Sequence, residues 1–190
     1  MVSVMTALEL PLVPLADDVV LIRPWRAADV PTMVMAFADP VVQRFSWSRM
    51  MPYTEADARD YVVEQEEARR RGDALAVALI SPGDDAVVLG GASLYDVDLV
   101  QGRAGIGYWA AAEARGRGVA THAVRLLAGW GFSALGLARI ELMCAPDNLA
   151  SQRVAERCGF VREGVLRSHR VFKGARRDSV IFSLLPGELR

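Results

Sequence analysis

The chain has 190 residues, enough for one compact domain with a substantial core and short for two. Its hydrophobic fraction of 52% excludes a disordered chain, and a formal net charge of −1 lacks the electrostatic footprint of a nucleic-acid binder. No apolar run approaches the roughly 18 residues a membrane span needs, and two cysteines, Cys144 and Cys158, make neither a disulfide framework nor a zinc cluster. A cytoplasmic location without a metal is expected.

Residues 1–18 are apolar, with prolines, and lack the basic start and small-residue cleavage site of a signal peptide. They read as a leader segment lying against a domain over 19–190. Residues 19–23 read as a strand stopped by Pro24. Residues 27–38 read as a short helix, with Pro31 tolerated in its first turn and Asp39-Pro40 closing it. A loop over 41–52 follows. Thr54 is a good N-cap for a charged amphipathic helix that runs to Arg71 and stops at Gly72.

Residues 74–80 and 87–95 are apolar runs joined by a hairpin turn at Ser81-Pro82-Gly83-Asp84-Asp85. A second turn at Gln101-Gly102-Arg103 leads into a strand over 104–110. A long helix begins near Gly118, with Val119, Ala123, Leu126, Trp130 and Ala134 at helical spacing and Val124, Leu127 and Leu135 widening the face. Gly129 and Gly131 lower helix propensity and are explained by close packing on a sheet. Residues 139–145 read as a strand, 148–158 as a short helix ended by Gly159, and 160–168 and 179–185 as final strands. The chain therefore reads as α/β, a single mixed sheet of seven strands flanked by about four helices.

Charge is unevenly spread. Residues 1–114 carry 9 Lys and Arg against 17 Asp and Glu, and residues 115–190 carry 13 against 6. Either solvated helix faces differ by accident, or the second half receives an anion while the first draws a cation.

The most informative segment is residues 105–121, where a strand passes through a loop into Arg115-Gly116-Arg117-Gly118-Val119-Ala120 and opens a helix. Glycines let the backbone approach a ligand closely. The first amides of a helix lack internal acceptors and its dipole favours negative charge, so such a turn suits a phosphate or diphosphate. Arg115 and Arg117 add two cations. A P-loop is excluded because no lysine is present there, and a dinucleotide fingerprint would follow its strand directly. A plain structural turn is the other reading.

The segment resembles the GNAT superfamily of N-acyltransferases, whose diphosphate loop reads Gln/Arg-x-x-Gly-x-Gly/Ala and is matched by Arg115, Gly118 and Ala120. More narrowly, the chain is similar to the RimJ/RimL-type ribosomal-protein alanine N-acetyltransferase branch. The matching pieces are Ile106-Gly107-Tyr108-Trp109, Glu113-Ala114-Arg115-Gly116-Arg117-Gly118, Asn148-Leu149-Ala150-Ser151, Gly159-Phe160 and Glu163-Gly164-Val165-Leu166-Arg167. The resemblance is strong over 95–185 and weaker over 19–80.

It implies a GNAT fold with a mostly antiparallel sheet, and transfer of an acetyl group from acetyl-CoA to an amine by direct attack in a ternary complex. The acceptor would be a protein or peptide N-terminus, or a small molecule. The backbone of Tyr108, Trp109 and Ala110 would hydrogen-bond the pantetheine arm, and the amides of Arg115, Gly116, Arg117, Gly118, Val119, Ala120 and Thr121 would hold the diphosphate. Asn148 would bind the arm, and Ser151 would serve near the thioester sulfur as proton donor or orienter. A cap and first-turn role for this pair is compatible. Where many members of the branch carry Glu, this chain has Gly105, so the base is open among Asp96, Asp98, Glu141 and a water chain. An α-amine, with its lower pKa, needs a weaker base than a lysine.

Cys144 lacks an evident activating histidine and reads as a buried structural thiol. Residues 45–51 could line the amine pocket, form a lid or make a homodimer contact. The basic stretch 167–177 reads as a solvated loop, with an acidic peptide or ribosomal partner as the alternative. The rival functions are transfer of another acyl group such as succinyl, and an acyl-CoA-binding module without turnover.

Overall fold

The computed structural model describes residues 7–190. The strands are β1 (Leu21–Pro24), β2 (Leu75–Ser81), β3 (Asp84–Asp98), β4 (Arg103–Ala110), β5 (Arg139–Cys144), β6 (Val161–Phe172) and β7 (Ala175–Leu184). The helices are α1 (Val30–Ala38), α2 (Pro40–Phe45), α3 (Glu55–Arg71), α4 (Val119–Ala134) and α5 (Leu149–Arg157). All seven strands join one sheet in the order β1-β2-β3-β4-β5-β7-β6. Neighbours are antiparallel except β4 and β5, which are parallel. The mixed, mostly antiparallel sheet is the expected one.

Local chemistry sets the boundaries. The Thr54 hydroxyl accepts from the amide of Asp57, whose carboxylate accepts from the amide of Thr54, so α3 opens on a reciprocal cap. It ends at Gly72 with φ 81°, after Arg69, Arg70 and Arg71 place positive charge at the helix's negative end. The expected loop over 41–52 instead holds α2. Asp39 accepts from the amides of Val41 and Val42, and Pro40 takes the first helical position, where its missing N–H costs nothing. One dipeptide thus ends α1 and starts α2. The final hairpin is also longer than expected, because β6 and β7 continue pairing from Arg170↔Arg177 to Phe172↔Ala175.

The main core lies between the sheet and α4–α5. Leu75, Val77, Leu79, Leu94 and Ile106 from the sheet meet Val119, Ala123, Val124 and Leu127 of α4. Each of these leucine, isoleucine and valine side chains contributes about 1.5–3 kcal/mol on burial. Gly131 packs against the sheet as expected, since a β-carbon there would meet Leu137, Ile140 and Leu94 within 3.5 Å; Gly129 instead faces Leu189 of the C-terminal tail. On the opposite face, α1 and α3 bury Val30, Met33 and Ala58 beside Trp25. The buried pair of Arg23 with Asp29, at 2.7 and 2.8 Å, fixes the start of this layer to β1. In the leader, Leu8 is buried in the main core and Asp17 bonds His122 Nδ1 at 2.7 Å.

Candidate active site

The site originates in the one parallel pairing of the sheet. β4 and β5 stay in register from Arg103↔Arg139 to Ile106↔Leu142 and then part. Beyond that point residues 107–110 pair only with β3, and Met143 and Cys144 only with β7. The facing edge of β4 is therefore an unpaired row of backbone donors and acceptors, able to accept an extended ligand as an added strand. A cleft of about 460 Å³ lies at this fork. Its walls come from the end of β4, the turn before α4, the start of α5 and α2.

The turn before α4 is built for an anion. Gly116 and Gly118 sit at φ 75° and 82°, the left-handed region that side-chain-bearing residues avoid. A β-carbon at Gly116 would meet nothing within 4 Å, so the backbone lies open to a ligand. The amide of Arg115 is spent on Ala112 O at 3.3 Å, but no amide from 116 to 121 donates to another backbone group. Six consecutive amides at a helix start are thus left without a backbone acceptor among the described residues.

The flanking arginines differ. Arg115 is ion-paired with Asp39, whose carboxyl is held below the usual range chiefly by that hydrogen bond. Its charge is largely offset. Arg117 is exposed and has no ion pair among the described residues, but it does not line the cleft. Every other expected cofactor residue does: Tyr108, Trp109, Ala110, Arg115, Gly116, Gly118, Val119, Ala120, Thr121, Asn148 and Ser151.

At the base of the fork the Tyr108 hydroxyl meets Ser151 Oγ at 2.8 Å. Asn148 Oδ1 accepts the Ser151 amide at 3.1 Å, so Asn148 caps α5 and also lines the cleft. Burial pushes the Tyr108 phenol well above its ordinary range, against a smaller opposing effect of the Ser151 bond. Burial likewise raises the Cys144 thiol, partly offset by a hydrogen bond with Ser151. No histidine activates Cys144: His122 bonds Asp17 and His169 bonds Ser179 Oγ at 3.0 Å. Asp17, Asp18 and His122 bring ligand-type atoms within 4.8 Å of one another.

Tyr108 and Trp109 point to opposite faces. Trp109 stacks on Trp25 at 6.0 Å and meets Phe37 edge-on at 5.4 Å. Phe37 in turn packs on Tyr53 at 4.4 Å, and Trp47 meets Tyr53 at 4.9 Å. Of the stretch 45–51, Phe45 and Ser46 line the cleft, Trp47 enters this aromatic wall, and Met50 and Met51 are exposed.

None of the three expected carboxylate bases reaches the cleft. Asp98 caps the turn at Val100 and Gln101, Asp96 is exposed, and Glu141 accepts from Arg139 Nε at 2.8 Å. Glu141 is nonetheless the β5 neighbour of Gly105. Val41, Val42, Arg153 and Arg157 also line the cleft and were missed from sequence. The Asp39-Pro40 pair would have revealed the α2 residues, read as a helix start rather than only as a stop.

The family model for the acetyltransferase (GNAT) domain matches residues 20–161. An uncharacterised N-acetyltransferase of Bacillus licheniformis, p20, is 31% identical over 168 residues, covering 88% of this chain and 93% of that protein. A candidate ribosomal N-acetyltransferase of Bacillus subtilis (strain 168), YdaF, is 39% identical over 104 residues, which is 55% of this chain and 57% of that protein. The solved structure of Mycobacterium smegmatis RimJ in complex with CoA-disulfide superposes with a TM-score of 0.80 at 25% identity, covering 90% of this chain and 83% of that one. The sheet that forks after Ile106 and the matched span agree, and the chain belongs to the GNAT acetyltransferase family.

Proposed function

We propose that the chain transfers the acetyl group of acetyl-CoA to an α-amine, that of a protein or peptide N-terminus or of a small molecule, by direct attack in a ternary complex. The observation that carries this reading is the run of six free amides, residues 116–121, beside a strand edge left open at 107–110. The amides hold the diphosphate, and Tyr108, Trp109 and Ala110 hydrogen-bond the amide-bearing arm as an added strand. The RimJ complex with CoA-disulfide and the name of YdaF support an acyl-CoA and a protein acceptor.

When bound, the cofactor supplies an acetyl thioester. Ser151, oriented by Tyr108 and by the start of α5, hydrogen-bonds the sulfur and donates a proton as the C–S bond breaks and the C–N bond forms. Tyr108, its phenol kept protonated by burial, stays neutral and holds the Ser151 hydroxyl by their hydrogen bond, and water restores the proton that Ser151 gives up. The amine loses its own proton to water. With Gly105 in place of a carboxylate, this route suits an α-amine of pKa about 7.7–8.0 rather than a lysine near 10.4.

The test is thermal unfolding with and without acetyl-CoA, comparing the native chain with Ala120→Glu. A carboxylate in the first turn of α4 favours the empty helix and repels the diphosphate. At a ligand concentration a hundredfold above Kd, about 2.7 kcal/mol of linkage raises Tm by roughly 5–10 °C in the native chain and not in the variant. No rise in the native chain sinks the reading. A rise without CoA release from any α-amine favours the binding module without turnover.

A further inference from the structure

Ion pairing divides the molecule. Between residues 7 and 139, ten of thirteen arginines are in ion pairs. Among the described residues, none of the nine Lys and Arg side chains after Arg139 is. Six of the nine lie on the β6–β7 hairpin: Arg162, Arg167, Arg170, Lys173, Arg176 and Arg177. Neither acid on the hairpin is in an ion pair with these six cations. Glu163 is bound by Arg139 and by Ser183 Oγ, and Asp178 accepts the Ser168 amide at 2.7 Å.

The hairpin abuts the cleft. The Lys173 amide donates to Ser48 O at 2.8 Å, Lys173 Nζ to Gln43 Oε1 at 3.3 Å, and Arg177 Nη1 to Arg44 O at 3.1 Å. These contacts seat the hairpin tip on α2 and the residues after it, which form one wall of the cleft. The Phe172 ring meets two cations, with the Arg177 and Arg170 guanidinium carbons 4.3 and 5.5 Å from its centre. This fixes their positions without neutralising them.

We infer that the β6–β7 hairpin is the docking surface for the acceptor, a polypeptide whose N-terminal amine is followed by acidic residues. The inference rests on the acetyltransferase reading and specifies its acceptor. A hairpin whose cations are in no ion pair, seated on the α2 wall of the cleft, recruits a chain that is positive at its end and negative behind it. A nucleic acid, negative throughout, fits less well, because residues 1–114 carry eight more acids than bases and the whole chain has net charge −1.

The test is fluorescence anisotropy with the full chain and labelled octapeptides that share a free N-terminal alanine, with either four glutamates or four glutamines behind it. The acidic peptide binds roughly tenfold or more tightly than the neutral one. The preference disappears in Arg170→Glu/Arg176→Glu and between about 0.05 and about 0.3 M NaCl. Equal binding of the two peptides, or a preference that survives charge reversal, overturns the inference; so does an RNA octanucleotide that displaces the acidic peptide better than polyglutamate. The acetyl-CoA shift in Tm, measured on the same samples, is unchanged in the hairpin variant and reports on the catalytic reading separately.

Discussion

Tyr95 lies with its ring across Gly105, where an added β-carbon would fall 2.4 Å from the ring. A glutamate at 105 would have to displace that ring, and the proposed acid–base chemistry uses the Tyr108–Ser151 pair on the other face instead. The two roles of Ser151 separate experimentally. Its amide, not its hydroxyl, satisfies the cap of Asn148, and Ser151→Ala keeps that bond. If the hydroxyl delivers the proton, Ser151→Ala lowers kcat by about 100-fold while Tm and the KM for acetyl-CoA stay near native. An unchanged kcat in steady-state CoA-release assays would return Ser151 to a purely structural role. The glycine turn and Ser151 were legible because each carries a local motif. The exclusion of a base at 105 was not, since Tyr95 and Gly105 meet only through the register of β3 with β4.

At the scale of elements, α2 is the piece that sequence reading missed. Its six residues are too few to show a helical period, and the Asp39-Pro40 signal was consumed as a stop for α1. The β6–β7 hairpin was under-read for a related reason: its arginine-rich end has no alternation of apolar and polar residues, and backbone pairing alone extends it. That the backbone of residues 108–110 is free for a ligand was legible only through family resemblance, because the pairing of distant parallel strands leaves no local trace. Asp39 carries more than one task, accepting the amides of Val41 and Val42 and neutralising Arg115. Asparagine caps as well as aspartate but cannot pair with an arginine as an ion. Asp39→Ala therefore costs about 1 kcal/mol, roughly 2–4 °C in Tm, whereas Asp39→Asn stays within about 0.5 kcal/mol of native in urea titration. Equal losses in both variants would mean that the ion pair, not the cap, holds α2 against the turn.

Across the whole molecule, paired and unpaired charges do different work. Asp39, Glu66, Asp85, Asp147 and Glu163 all sit below the ordinary carboxylate range, each mainly through a hydrogen bond from an arginine, and Glu163 is lowered to about 2. A carboxylate whose folded pKa is depressed stabilises the fold above its unfolded pKa, about 3.9–4.3, and loses that contribution as pH falls through the folded value. Tm should hold level from pH 8 to about 5 and fall below about 4, with the contribution of Glu163 lost as it titrates near 2. Most of these pairs are exposed on at least one side, so each is worth little and moderate salt at pH 7 moves Tm only slightly. Docking at the hairpin responds differently, because its cations are in no ion pair for salt to compete with and every screened charge weakens capture of the acceptor directly. Tm read by circular dichroism across pH 2–8 at two ionic strengths, beside peptide binding at the same salts, compares the two. A steep salt dependence of Tm at pH 7 would mean that the arginine pairs carry the fold; a flat Tm with salt-sensitive binding assigns paired charge to stability and unpaired charge to recognition.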